Sequence, residues 1–180
     1  MSGHAMNQPF TVYLAGFDVF RPDAVAYGAS LKALCERYGL RGLYPLDQAG
    51  PAGLHGPELA AWICRANVGL IRQADGVIAN LNPFRGHEPD SGTAFEVGYA
   101  AALGKPVWAY TSVRGTIVEQ VAVGRSAQAD AHLDAQGYVV EDFGMSLNLM
   151  LACSATVVVG DAEACLARVA RDVGAAGERA

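Results

Sequence analysis

The sequence predicts an α/β protein: a single domain built on a doubly wound, five-stranded parallel sheet with helices on both faces. Its 180 residues suffice for one sizeable core and are few for two. A composition of 52% hydrophobic and 17% charged residues is typical of a well-packed globular protein. Short apolar runs alternate with helical patterns, and strands that are apolar throughout indicate a parallel sheet covered on both faces.

Five segments have the composition of buried strands. They are short, rich in Val, Ile, Leu and aromatic residues, and they end at Gly, Pro or polar residues. The predicted strands cover residues 10–16, 41–46, 76–81, 105–111 and 155–160. Pro45 is expected to stop the second of them.

Helical patterns lie between these strands. The first places Leu31, Leu34, Cys35 and Tyr38 at helical spacing and closes at Gly39. The others are predicted over residues 56–75, 93–104, 147–154 and 161–173, the second of them ending at Gly104. This alternation of strands and helices is that of a flavodoxin/Rossmann-like fold.

The domain is expected to span residues 10–175, after a flexible N-terminus at 1–9 and before a tail at 176–180. Residues 113–143 carry no clear period and mix Gly, Gln, Asp and His, so they predict loops with one short helix.

Charge and composition exclude several classes of function. The formal charge is −5, and the 13 Lys and Arg residues form no basic stripe, so a nucleic-acid polymer is not an expected partner. No apolar run is long enough to span a membrane, and the N-terminus lacks the pattern of a signal peptide, so the protein is expected to be cytoplasmic. The four cysteines occur singly, which predicts reduced core thiols.

No motif for a cofactor or a metal ion is present. The segment after the first strand reads AGFDVF and lacks the glycines of a dinucleotide-binding turn. Spacings typical of phosphate loops, zinc sites and nucleophilic serines are also missing. The sequence therefore predicts chemistry carried by side chains alone, with no cofactor and no metal.

The rule for open parallel sheets directs attention to three loops. Ligands bind beyond the carboxyl ends of the strands, near the point where the strand order reverses. The residues at that edge are 13–17 after the first strand, 80–90 after the third and 110–112 after the fourth.

Glu96 has two interpretations within PDSGTAFEVGYA, residues 89–100. Thr93 and Glu96 fit a capping box, in which Glu96 would bind the Thr93 amide. Alternatively, Glu96 is a nucleophile that the positive end of the helix dipole keeps ionised, with Asp90 as a second acid. Two acids suit glycosyl chemistry on an uncharged sugar better than binding of an anionic phosphate.

Three segments resemble the nucleoside 2-deoxyribosyltransferase family. They read VYLAGFDVF near the N-terminus, ADGVIANLNPFRGHEPDSGTAFEVGYAAALGKPVWAY in the middle and SLNLML near residue 148. The middle block is long and specific, and the likeness covers residues 10 to about 160 in the same order. The sequence departs from the family pattern after Gly16, where a Pro often follows.

The resemblance implies a role for each matching residue. Glu96 would attack C1′ of a 2′-deoxynucleoside, forming a covalent intermediate with net retention after transfer to a second base. Tyr13 would orient Glu96, Asp75 would contact the base and manage its proton, and Asp90 would bind the sugar hydroxyls. The remaining implied substrate contacts are Gly16 and Phe17, with Asn148 and Met150 lent to a neighbouring subunit's site.

The resemblance also implies partners and a setting. These are 2′-deoxynucleosides and free purine or pyrimidine bases, a homo-oligomer with sites at subunit interfaces, and a place in nucleotide salvage. Phe17 and Phe84 are candidates to sandwich a base, with core packing as the alternative.

Two other functions remain open on the sequence alone. A related activity would hydrolyse nucleosides or nucleoside 5′-monophosphates with the same Glu96, although Asp90 would repel a phosphate. A non-catalytic nucleotide-sensing domain could use the same fold, since a fold does not determine function.

Overall fold

A computed structural model describes residues 8–128 and 130–177. The first seven residues of the N-terminus expected to be flexible (1–9) and the last three residues of the expected tail (176–180) lie outside the described residues. These residues form one five-stranded sheet covered by helices and one separate two-stranded hairpin.

All five strands of the main sheet run parallel, in the order β2-β1-β3-β4-β7. From β1 the chain moves to β2 on one side and then crosses to β3 on the other. The strands are Thr11–Ala15 (β1), Arg41–Leu43 (β2), Gly76–Asn80 (β3), Val107–Thr111 (β4) and Thr156–Val159 (β7). The predicted doubly wound α/β fold is confirmed, and its switch point lies between β1 and β3.

Helices cover both faces of the sheet. Those that pack on one face are α1 (Ala24–Arg37) and α6 (Ala162–Gly177). Those on the other face are α2 (Gly56–Gln73), α3 (Ser91–Ala102) and the short α5 (Leu149–Ala152). A further short helix, α4 (Ile117–Val121), follows β4. Helix α6 continues two residues into the stretch expected as a tail.

Successive side chains of a strand point to opposite faces of the sheet, so the core has two layers. In β1, Val12 and Leu14 face α1 and α6, whereas Tyr13 and Ala15 face α2 and α3. Side chains on both faces are buried, which accounts for the apolar strands of the sequence. The alternation directs the Tyr13 ring into the layer beneath α3.

The region 113–143 contains a hairpin that the sequence did not predict. Strands β5 (Gly124–Ser126) and β6 (Ala131–Leu133) pair antiparallel, apart from the main sheet. Three residues per strand are too few for a recognisable alternation, and none of their side chains is fully buried.

Two smaller features also differ from expectation. The predicted second strand ends at Leu43, and Pro45 begins a short 3-10 turn. Cys35 and Cys165 are buried free thiols as expected, whereas Cys64 and Cys153 are exposed. Within the described residues, no helix is long and apolar enough to cross a membrane.

Candidate active site

Tyr13 and Glu96, separated by 83 residues in the sequence, form a direct hydrogen bond. The Tyr13 hydroxyl donates to Glu96 Oε1 at 2.5 Å. Tyr13 is fully buried, and its ring reaches α3 because its position in β1 faces that side of the sheet. No hydrogen bond to Glu96 Oε2 occurs within the part of the chain that the structure describes, so this oxygen is the one available for chemistry.

The helix start differs from the predicted capping box. Helix α3 begins at Ser91, and Asp90 is its N-cap residue, accepting a hydrogen bond from the Thr93 amide. Glu96 therefore lies in the second turn, beside the buried side chains of Thr93 and Val97. The carboxyl group of Glu96 faces Tyr13 instead of capping the helix, so the capping interpretation of Glu96 is wrong.

Burial dominates the electrostatics of the pair. Burial raises the pKa of Glu96 to about 7; the Tyr13 hydrogen bond lowers it, and the nearby Asp90 charge raises it further. Burial and the Glu96 charge raise the pKa of Tyr13 far above its ordinary value. Tyr13 therefore stays protonated and remains the donor, while Glu96 titrates near neutrality.

Asp90 uses only one of its carboxylate oxygens to cap α3. Its Oδ2 accepts from the Thr93 amide at 2.9 Å and from the Thr93 hydroxyl at 3.1 Å. Among the described residues, Oδ1 has no hydrogen-bond partner. Asp90 thus presents a free acceptor at the carboxyl edge of the sheet, where the loop from β3 enters α3.

Gly16 allows a close approach between the loops after β1 and β3. A Cβ atom at this position would lie 2.9 Å from Asn80 Cβ and 3.0 Å from Asp18 Oδ2. The buried Asn80 amide donates from Nδ2 to the buried Asp18 carboxylate at 2.8 Å. Gly16 thereby fixes the spacing of the two strands at the switch point.

A second polar bridge continues along the same edge. Asn80 Oδ1 accepts from Asn82 Nδ2 at 2.7 Å, and Asn82 Oδ1 accepts from the Ser112 hydroxyl at 2.7 Å. The chain of hydrogen bonds joins the carboxyl ends of β1, β3 and β4. The sequence placed these residues at the edge without a role, because an Asn after an apolar strand resembles any turn residue.

Phe17 and Phe84 stack directly on each other, which leaves no space for a base between their rings. Their ring centroids are 4.8 Å apart with an interplanar angle of 12°, and Phe20 stacks on Phe84 at 5.5 Å. The Arg85 guanidinium carbon lies 4.7 Å from the Phe84 centroid, and Arg85 has a positive φ of 56°. This aromatic cluster connects the loops that follow β1 and β3.

Asp75 lies at the opposite edge of the sheet from Asp90. It directly precedes β3, and its Oδ2 accepts from the Thr11 amide at the start of β1, at 2.8 Å. Its backbone amide donates to the Thr11 carbonyl at 2.8 Å. The structure therefore gives Asp75 the role of joining the amino ends of two strands and does not bring it to Glu96.

Asn148 and Met150 lie at the start of α5, which packs against α3. Asn148 is the N-cap residue, and its Oδ1 accepts from the Met150 amide at 3.0 Å. Met150 is 68% exposed, unlike the buried Leu147 three residues before it. The pair therefore combines a polar group and an exposed apolar side chain on one short turn.

Asn67 on α2 is a polar residue that no sequence motif marks. Its Oδ1 is buried without a hydrogen-bond partner in the structure. Asn67 lies one turn before Leu70 and Ile71, whose side chains enter the core layer that contains Tyr13. A buried amide oxygen without a donor costs free energy, so Asn67 lowers the stability of the fold at this position.

Metal-binding clusters are not found in the described ranges. No group of three or more His, Cys, Asp or Glu side chains there is placed to bind a metal ion. The chemical groups at the carboxyl edge are the carboxylates, amides, hydroxyls and aromatic rings described above.

Comparison with known proteins identifies the family of the chain. The family model for nucleoside 2-deoxyribosyltransferase matches residues 12–150. An uncharacterised protein of Schizosaccharomyces pombe is 35% identical over 157 residues, covering 77% of this chain and 74% of that protein.

Solved structures show the same fold. A 2-desoxiribosyltransferase from Leishmania mexicana superposes with a TM-score of 0.72 at 36% identity, covering 91% of this chain and 98% of the other. A 2-deoxyribosyltransferase from Bacillus psychrosaccharolyticus shares the fold at 18% identity and a TM-score of 0.55, with 84% and 87% covered. The chain belongs to the nucleoside 2-deoxyribosyltransferase family and is an enzyme of that type.

Proposed function

We propose that this enzyme transfers 2-deoxyribose between nucleobases through a covalent deoxyribosyl-Glu96 intermediate, with net retention at C1′. The observation that carries the proposal is the partly buried Tyr13–Glu96 hydrogen bond at 2.5 Å in a chain of this family. A strand tyrosine directed at a helix carboxylate orients that carboxylate and leaves its second oxygen free.

The proposed reaction has two displacements. Ionised Glu96 attacks C1′ through Oε2, the bond from C1′ to the base nitrogen breaks, and its electron pair leaves with the base, which takes up a proton. A nitrogen of the second base then attacks C1′, breaks the ester to Glu96 and loses a proton. Two inversions give net retention.

Neighbouring groups are suited to an uncharged sugar. Asp90 has a free Oδ1 that can accept from a sugar hydroxyl while Oδ2 caps α3. Gly16 and Phe17 line the approach from the β1 loop, and Asn148 with Met150 contributes to the site of a neighbouring copy in a homo-oligomer. Asp75 has no part in this proposal because its carboxylate joins strand starts at the other edge.

A covalent intermediate can be detected by mass spectrometry of the intact protein. The enzyme is mixed with deoxyinosine without an acceptor base, quenched in acid and weighed. We expect a protein species heavier by one deoxyribosyl group, and we expect peptide mapping to assign the addition to Glu96. Glu96→Gln should carry no added mass, because an amide does not attack C1′.

Glu36→Gln is the matched control, because this exposed carboxylate lies on α1, across the sheet from Glu96. It should be labelled like the wild type. Base exchange is then followed by chromatography with deoxyinosine plus adenine. Deoxyadenosine formation supports transfer. Free base without a new nucleoside would show that water is the acceptor, and labelling elsewhere than Glu96 would contradict the assigned nucleophile.

A further inference from the structure

We infer that Glu141 is a positioning residue that sets the hydrogen-bonding direction of the Asn148 side chain. The inference rests on the proposed function, in which Asn148 contacts substrate. Glu141 lies at the end of the region 113–143, for which the sequence suggested no role. Both side chains are partly buried, so their mutual contacts are shielded from bulk water.

The Glu141 carboxylate binds the start of α5 at two points. Its Oε1 accepts from the Leu149 amide at 2.9 Å, and its Oε2 accepts from Asn148 Nδ2 at 3.3 Å. Asn148 Oδ1 accepts from the Met150 amide at 3.0 Å. Backbone amides donate only, so the Met150 contact identifies the oxygen of the Asn148 amide.

These contacts determine what Asn148 can offer to a ligand. Its oxygen is directed to the Met150 amide, and one of its two Nδ2 hydrogens is directed to Glu141. The second Nδ2 hydrogen remains, so Asn148 presents a donor. A sugar hydroxyl oxygen is an acceptor of the required kind. Glu141 therefore selects the donor orientation of Asn148 over the flipped amide.

The segment that precedes Asn148 is also attached to α4. Gln120 Nε2 donates to the Ser146 carbonyl at 2.9 Å, and the Ile117 amide donates to the Met145 carbonyl at 2.9 Å. Buried Leu147 packs in the core layer that contains Tyr13. With its backbone fixed on this side, the remaining freedom at Asn148 is the rotation of its amide, which Glu141 restricts.

Glu141→Gln tests the inference with little change in shape. The Gln oxygen can still accept from the Leu149 amide, but its Nε2 then faces Asn148 Nδ2, donor against donor. We expect KM for deoxyinosine to rise about five- to tenfold in base exchange, with kcat changed less, because the effect acts on substrate binding. Asp142→Asn removes a charge one residue away, at an exposed position, and should leave KM unchanged.

A double-mutant cycle separates positioning from simple helix stabilisation. In an Asn148→Ala background, Glu141→Gln should have no further effect on KM, because its action through Asn148 is already lost. Additive effects in the cycle, or a wild-type KM in Glu141→Gln, would overturn the inference. Thermal unfolding of each variant provides the stability readout alongside.

The outcomes distinguish this inference from the proposed function. If the wild type transfers deoxyribose and Glu141→Gln is indistinguishable from it, only the role of Glu141 fails. If the wild type produces no new nucleoside from deoxyinosine and adenine, the proposed function fails and the role of Glu141 fails with it.

Discussion

At the scale of single residues, Glu96 meets two opposing demands. Burial in the layer beneath α3 shields the carboxylate from water but raises its pKa to about 7. A nucleophile must be ionised, so the hydrogen bond from Tyr13, which lowers the Glu96 pKa, opposes the effect of burial. Position and protonation of Glu96 therefore depend on the same tyrosine.

Tyr13→Phe should shift the pH profile of the reaction. In the wild type, kcat/KM for base exchange should rise with pH through about 7 as Glu96 ionises. Loss of the hydrogen bond raises the Glu96 pKa further, so the rising limb should move to higher pH by about 1–2 units. Tyr38→Phe, which alters a hydroxyl near exposed Glu163, is the control and should keep the wild-type limb. If the rising limb of Tyr13→Phe did not move, the ionisation of Glu96 would not depend on the Tyr13 hydrogen bond.

Replacing Asn67 by an apolar residue should change stability and activity in opposite directions. Asn67→Leu removes the buried, unpaired oxygen, so the free energy of unfolding should rise by about 1 kcal/mol in urea denaturation. Base exchange should decline if that oxygen accepts from substrate. Tyr44→Phe is the control, because the Tyr44 hydroxyl is also buried and unpaired but lies in the layer with α1 and α6. It should stabilise the fold without loss of transfer; equal activities in both variants would place Asn67 outside the site.

At the scale of elements, the contact between the β1 and β3 loops depends on the absence of a side chain at Gly16. Gly16→Ala places a Cβ 2.9 Å from Asn80 Cβ, so one loop must move. We expect the free energy of unfolding to fall by about 1–3 kcal/mol, measured by urea denaturation. Gly174→Ala on α6 meets no atom within 4 Å and should stabilise the helix by about 0.5–1 kcal/mol. A Gly16→Ala protein as stable as the wild type would mean that the loops separate freely.

The elements differ in how well the sequence predicted them. The inner strands β1, β3 and β4 of the main sheet are buried on both faces, so their apolar runs were visible in the sequence. The hairpin β5–β6 lies outside that sheet and buries none of its side chains fully, so no hydrophobic pattern marked it. The N-cap of α3 was also not determined by the sequence. Asp90 and Thr93 both have side chains that can cap a helix, and only the backbone geometry decides which of them does so.

At the scale of the whole molecule, the resemblance and the strand rule together located much of the candidate site. Tyr13 and Glu96 meet as expected, since one faces α3 from β1 and the other faces the sheet from α3. Asp75 was misplaced because sequence shows that a residue adjoins a strand, whereas only the fold shows which end of the sheet it occupies. Asn67 was missed because its feature is a buried oxygen without a partner, which only the fold shows. Glu141 was missed because no sequence pattern shows that it turns back to bind the start of α5.

The strand order also has a consequence for synthesis of the protein. Strand β4 ends at Thr111, and its neighbour β7 begins only at Thr156. At about 5–20 residues per second, a ribosome takes several seconds to produce the intervening chain and α6 beyond it. During that interval two surfaces have no partner in the nascent chain. They are the edge of β4 that later pairs with β7 and the side of Trp108 that later packs against α6. The free edge of β4 is therefore open to pairing with other chains after Glu96 has emerged and before the sheet is complete.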